Sequence, residues 1–280
     1  MTTQHTFFSD LKPSLAACIP AVFGCLWQTA FSRYSVLSML LISFLGFQVQ
    51  GQEEESEIFD GIYLGFQYGA YIPAGDLADR FGNNFGLGAN IEVLKNKKWV
   101  YGVEGQFHFG RNVQESVAGE LVDERGVLIN TSFNLADVDV RERGIHIFGK
   151  FGRVHDLWHE TSISGIKWTF GVGYLQHKIR LKDADQAVPY FDDPYVRGYD
   201  RLTAGFSLDQ FVGYQYLDRN GRLNVYVGLE FIEAFTKSQR GLNYNTKIVD
   251  DQSRVDILMG AKIGLQITIR SYKDKDDIWY

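Results

Sequence analysis

Four groups of residues in this chain have the types and spacing to do chemistry. HDLWHE (155–160) sets two histidines four positions apart with Glu160 beside them. On a helix that spacing makes a metal pair. Here, however, the glutamate follows the second histidine, whereas the zinc-protease pattern carries it directly after the first. The stretch reads instead as a polar turn with Trp158 anchored at an interface. Ser207, His108 and Asp209 are the residues of a nucleophile–base set, with His146 nearby, and would suit a lipid hydrolase or acyltransferase. They read instead as plug residues that satisfy one another. The connection 181–201 is acidic, with Asp183, Asp185, Asp192 and Asp193, yet its spacing matches no EF-hand and it reads as a solvated loop that meets partners. The expectation is therefore no catalytic residue, no metal and no cofactor.

The fourth group is the largest and decides the architecture. Glu92, Glu104, Asp209, Glu230 and Asp256, together with Lys150, Lys167, Lys262 and Arg270, all fall on the polar side of alternating segments. GIKWTFGVGY (165–174) shows the pattern: Ile166, Trp168, Phe170, Val172 and Tyr174 share one face, with Lys167, Thr169 and two glycines opposite. A period of two is a β-strand signature. Eight such segments occur, at 61–71, 85–94, 99–110, 143–152, 165–180, 202–217, 223–235 and 255–270. Each is long enough to cross a bilayer as a tilted strand.

The connections add a second pattern. KNKK (95–98) and DRNG (218–221) are short, 153–164 is intermediate, and 72–84, 111–142, 181–201 and 236–254 are long. Long and short alternate, as in an up-and-down membrane barrel with short periplasmic turns and longer outer loops. In such a barrel the apolar face meets lipid, and the charged residues above form an interior network that must be paired. Glycine recurs on the inward side (Gly86, Gly88, Gly171, Gly173, Gly260, Gly264), where a narrow ring has little room. Trp99, Tyr101, Trp168, Tyr214 and Tyr216 fall at one end of the outward face, as a periplasmic aromatic girdle would. Lys167 needs a carboxylate across the barrel, with Glu104, Asp209 or Glu230 as candidates.

Composition agrees. Glycine (29) and aromatics (21 Phe, 15 Tyr, 5 Trp) are abundant and proline (5) is scarce. A formal net charge of −6 without a basic stripe argues against nucleic acid. Both cysteines, Cys18 and Cys25, precede the expected mature start, which leaves the body without a disulfide framework. LAAC at Cys18 lacks the apolar run of a lipobox. Arg33 followed by VLSMLLISFLGF (36–47) has the charge and apolar length of a signal peptide, with Gly51 its last residue.

The first hairpin, YGAYIPAGDLADRFGNNFGLGANIEV (68–93), the start at Gln52 and the ending DKDDIWY (274–280) resemble outer-membrane β-barrel proteins of Bacteroidota, of the OmpA/OmpX-like architecture. The resemblance covers most of 58–280. It implies a Gram-negative outer-membrane location and, for some members, an accessory place in type IX secretion or gliding machinery. It departs at the end of the chain, where strand eight stops near Arg270 and a charged tail follows.

The expected organisation is 1–51 leader, 52–60 short lead, 61–270 barrel, and 271–280 periplasmic tail. The fold class is all-β, an eight-stranded antiparallel up-and-down transmembrane barrel with a filled interior. Outer-membrane lipid surrounds it, and a protein partner is expected through 271–280 or the 111–142 loop. A soluble ligand-binding barrel and a lipid-modifying enzyme are the alternatives. Mass spectrometry of the mature protein is expected to give Gln52 as its first residue; an N-terminus upstream of residue 36 would overturn the signal-peptide assignment.

Overall fold

The computed structural model describes residues 60–95, 98–117, 138–156, 164–183, 188–217 and 224–272. Eight strands run in chain order: β1 (Asp60–Gly75), β2 (Asn84–Lys95), β3 (Trp99–Gly110), β4 (Val138–Asp156), β5 (Gly165–Asp183), β6 (Thr203–Leu217), β7 (Asn224–Ser238) and β8 (Ser253–Tyr272). Each pairs antiparallel with its neighbours, and β1 pairs with β8 to close the ring. Closure leaves no unpaired strand edge, the arrangement that lets a sheet satisfy its backbone without water.

Several strands overrun the ranges expected from alternation, chiefly at the long-connection end. β1 reaches Gly75, β4 begins at Val138, β5 reaches Asp183 and β7 reaches Ser238. Residues 138–142 thus belong to β4 and not to a 111–142 loop, and His155 and Asp156 of HDLWHE end the same strand. β8 continues past Arg270: Ser271 pairs with Gly61 and Tyr272 with Asp60, so the first two tail residues are sheet. The leader, the lead up to residue 59, 118–137, Trp158, His159, Glu160, Asp185, DRNG and 273–280 lie outside the described residues.

Inside the ring, side chains stack in three tiers. At the short-connection end Tyr63, Leu94, Val100, Val154 and Leu217 form a small apolar layer. Charged and amide side chains fill the middle. At the long-connection end a larger apolar cluster includes Phe148, Ile179, Ile232 and Leu258 from the strands, with Leu77, Phe81, Val117, Val188, Phe191 and Tyr199 from the connections. The β1–β2 connection folds into the mouth. Gly75 takes a left-handed φ of 62°, which releases the chain from β1. Asp76 then clamps Val255 of β8 in both directions, through Asp76 N–H to Val255 O (3.0 Å) and Val255 N–H to the Asp76 carboxylate (2.7 Å).

Glycine makes the middle tier possible. Lys150 has Gly102 on one neighbouring strand and Gly171 on the other. Lys262 lies between Gly69 and Gly228, and Glu230 faces Gly260. A Cβ at Gly171 would press on Asp209 and Lys150 and one at Gly102 on Glu92, while at Gly69 and Gly228 it would meet the Tyr71 and Phe211 rings. The aromatic rings use the same device: the Tyr226 ring lies where a Cβ on Gly264 would stand, and the Tyr71 ring where one on Gly260 would. Gly264→Val is expected to destabilise the barrel by about 1–3 kcal/mol through overpacking. In a double-mutant cycle with Tyr226→Ala, measured by urea unfolding, the two losses are expected to be less than additive; strict additivity would mean that the ring and the glycine are not coupled.

Candidate functional site

The polar middle tier brings five of the nine predicted charged residues into one cluster. Lys150 Nζ lies 2.8 Å from Glu104 Oε2, 2.9 Å from Asp209 Oδ2 and 3.2 Å from Glu230 Oε1. Lys262 Nζ reaches both Glu104 oxygens at 3.1 Å and forms a further short pair with Glu230. Two ammonium groups thus hold three carboxylates donated by β3, β6 and β7. The third carboxylate, Asp209, is the least well held: its one close cation is Lys150, off the hydrogen-bonding axis, and neither oxygen accepts an aligned hydrogen bond. All five side chains are buried.

Amides and phenols extend the cluster. Tyr71 donates to Glu230 Oε2 (2.5 Å) and accepts from Gln106 (2.7 Å), whose carbonyl accepts from Gln67 (2.9 Å). The Tyr226 hydroxyl donates to Gln67 (2.7 Å) and accepts from Asn90 (2.8 Å). The Lys262 ammonium also rests 5.0 Å from the centre of the Phe211 ring.

Lys167 corrects the expected pairing. It is buried, as a barrel requires, but its partner is Glu92 at 2.5 Å and not Glu104, Asp209 or Glu230. Gln266 donates to the same Glu92 oxygen at 2.6 Å, and the Tyr226 ring centre lies 4.8 Å from the Lys167 nitrogen. The pair forms a smaller unit nearer the short connections. Asp256 sits apart at the other end of the tier, held by His177 at 2.9 Å and by the Thr236 hydroxyl. The side chain of Arg270 lies outside the described residues.

The nucleophile–base set does not assemble. His108 Nε2 lies 2.9 Å from His146 Nδ1, and His146 Nε2 lies 3.5 Å from Glu104. Ser207 is buried with its hydroxyl unpartnered, so neither His108 nor Asp209 activates it. The five aromatic residues all lie on the outer face at the short-connection end. Tyr101, Tyr214 and Tyr216 are exposed and Trp99 and Trp168 half-buried. Trp99 stacks on Phe151 (5.2 Å between centroids) beneath the Arg153 guanidinium. In the acidic connection, Asp193 pairs with Arg197 at 3.1 Å within a short turn.

A second polar group, at the mouth, was not legible in any one segment. Arg80 donates to Glu115 (2.7 Å) and Thr203 (2.7 Å), and Arg201 lies 2.8 Å from the other Glu115 oxygen. Arg240 pairs with Asp200 at 2.5 Å. Four connections are thereby tied together over the apolar cap. Burial pulls the Arg80 pKa below its ordinary value against the opposing field of Glu115, and the Asp200 hydrogen bond raises that of Arg240. Guanidinium groups stay charged through such shifts. The available signal was Arg80 flanked by Leu77 and Phe81, a cation amid apolar residues in a supposed surface loop.

No family model and no curated protein matches the chain. Among solved structures it is similar to Neisserial surface protein A, with 11% identity over 75% of this chain and 99% of that one and a TM-score of 0.38. Ail, the attachment invasion locus protein of Yersinia pestis, gives 14% identity over 74% and 99%, with a TM-score of 0.35. The outer membrane protein OprG from Pseudomonas aeruginosa gives 10% over 75% and 97%, with a TM-score of 0.39. The barrel is assigned from its own closed ring, not from likenesses of this size.

Charge bookkeeping in the cluster separates its members. Lys150→Met would strand three carboxylates around one ammonium and is expected to cost about 3–5 kcal/mol. Asp209→Asn removes the excess charge, keeps an acceptor for Lys150 and is expected to stay within about 1 kcal/mol of the parent. Urea midpoints of the two variants check this; equal losses would contradict the geometry.

Proposed function

We propose that this chain is a monomeric outer-membrane β-barrel of a Gram-negative envelope, with a closed interior, acting as a structural or accessory component of an envelope assembly. One observation carries the membrane reading: the outer face is apolar and the interior charged. Leu229 is 70% exposed, Ile72 60%, Leu87 59% and Ile267 58%, while Glu104, Lys150, Asp209, Glu230 and Lys262 are buried. A soluble barrel distributes these residues the other way, because exposed apolar area on this scale drives association in water. In lipid the arrangement is the stable one. The five aromatics at the short-connection end then form the periplasmic girdle, and the long connections face the cell exterior.

The closed interior supports a scaffold over a general porin. An eight-stranded ring has room for side chains and little else, and here an apolar layer, a salt-bridged tier and a tied cap follow one another along the axis. A place in type IX secretion or gliding machinery, implied by the sequence resemblance, is the specific form of this reading. Its contacts would be residues 273–280, beyond the end of β8, or the connection between β3 and β4.

The folded protein is expected to fractionate with outer membranes, resist carbonate extraction, and migrate faster on SDS gels before boiling than after. Planar bilayers containing it should show no steady, large conductance. Affinity purification from native membranes should recover an envelope protein that is lost when the chain is truncated after Tyr272 or 118–137 is shortened. Release into the soluble fraction would overturn the membrane reading, and partner recovery unchanged by both deletions would overturn the assigned contacts.

A further inference from the structure

Strands β4 and β5 place a dense group of cations on the outer wall, at the long-connection end. In the ladder Arg141 stands directly opposite Arg180 and Arg143 opposite Lys178, while Lys182 stands opposite Asp139. All six alternate with the inward residues Glu142, Ile179 and Leu181, so they project from the outer face. Arg111 joins them from the end of β3. Among the described residues Asp139 is the one carboxylate paired with this group, and it is engaged by Arg141, whose Nε lies 2.6 Å away. Like charges directly opposite each other weaken a strand pair. Two such pairs in succession, in a chain of net charge −6, are a cost that Asp139 offsets only at Arg141.

The wall below the cations is apolar. Arg143 lies over the Phe107 ring, 5.7 Å from its centre, and Phe107 stacks on Phe109. Phe85 and Phe109 line a groove of about 500 Å³ whose other walls include Arg111, Arg141 and Arg143. The groove therefore has an aromatic floor toward the middle of the barrel wall and guanidinium groups toward the outside. An amphiphile with acyl chains and a doubly charged headgroup matches both ends, since guanidinium pairs with phosphate through charge-assisted, bidentate hydrogen bonds.

We propose that this face is a binding site for an outer-leaflet lipid bearing phosphoryl groups: the cations hold the phosphates, and the Phe85–Phe109 groove takes the adjoining acyl segment. The inference rests on the membrane-barrel reading, which puts this rim at headgroup depth. No basic run in the sequence announces the site. It is assembled by register, because the cations alternate with buried residues on two strands.

The test uses the full-length protein in nanodiscs of phosphatidylcholine doped with diphosphorylated lipid A or with the same lipid stripped of both phosphates, followed by native mass spectrometry. Inorganic pyrophosphate is the soluble competitor. The phosphorylated lipid is expected to be retained at least about tenfold over the stripped one. The Arg141→Gln/Arg180→Gln pair should lower retention about twenty-five-fold, at roughly fivefold per cation removed, while Lys237→Gln on β7 leaves it unchanged. Equal retention of the two lipids by an inserted barrel overturns the site alone, as does a double variant that binds like the parent. Displacement by pyrophosphate at equal concentration overturns the lipid as occupant and assigns a free anion. Failure of the protein to insert overturns the barrel reading and this site with it. Heat-shifted gel migration of each variant separates lost binding from lost folding.

Discussion

Lys150 and Lys262, shared among Glu104, Glu230 and Asp209, are the interaction on which the rest of the structure depends. A lone charge taken out of water costs several kcal/mol even after relaxation, and one mutual attraction rarely offsets it. Here both ammonium groups meet at least two carboxylates, and Glu104 and Glu230 each meet both lysines, while Asp209 meets Lys150 alone. That arrangement needs charged side chains from five strands at one depth, so it fixes their register across the ring. It also needs glycine beside each cation, which explains why the inward face is so poor in bulky side chains at Gly69, Gly102, Gly171 and Gly228.

Once the interior is satisfied, the outer face has only to be apolar. Side chains such as Leu229, Val103 and Ile263 are half or more exposed and make few demands on one another beyond β propensity. Stability then comes from the closed ladder and the internal tier, and the outer wall adapts to its solvent. The mouth follows a third logic. There the connections cross the barrel axis, so Leu77 and Phe81 bury themselves against Ile179 and Ile232, and Arg80 ties the cap through Glu115 and Thr203.

Much of this was legible in the sequence because alternation reports inside and outside directly. β3 matches its expected range, since KNKK and Arg111 bound it sharply. The outer end of β1 was missed because Ile72, Pro73 and Ala74 give no polar contrast between faces, and those of β4, β5 and β7 for one shared reason. Above the apolar belt the outward positions carry Arg141, Arg143 or Lys182, and the contrast between faces disappears although the ladder continues. Parity placed eight of the nine expected charges inside, Arg270 lying outside the described residues, but it did not identify their partners and did not single out Glu142 or Glu233. Whether Lys167 meets Glu92 or Glu104 depends on the stagger of the whole ring, which no single strand encodes. The mouth cluster draws Arg80, Glu115, Arg201 and Arg240 from separate connections, and only tertiary structure brings them together.

The central claim is the inversion of faces, with lipid outside and paired charge inside. Single cysteines along β8, labelled with a nitroxide in reconstituted vesicles, test it most directly. The account predicts that labels at Met259, Ile263, Leu265 and Ile267 collide freely with oxygen and hardly with a water-soluble nickel chelate. Labels at Leu258 and Gln266, which face inward, should collide with neither. Ready collision of the chelate with the first group would place the apolar face in water and contradict the account.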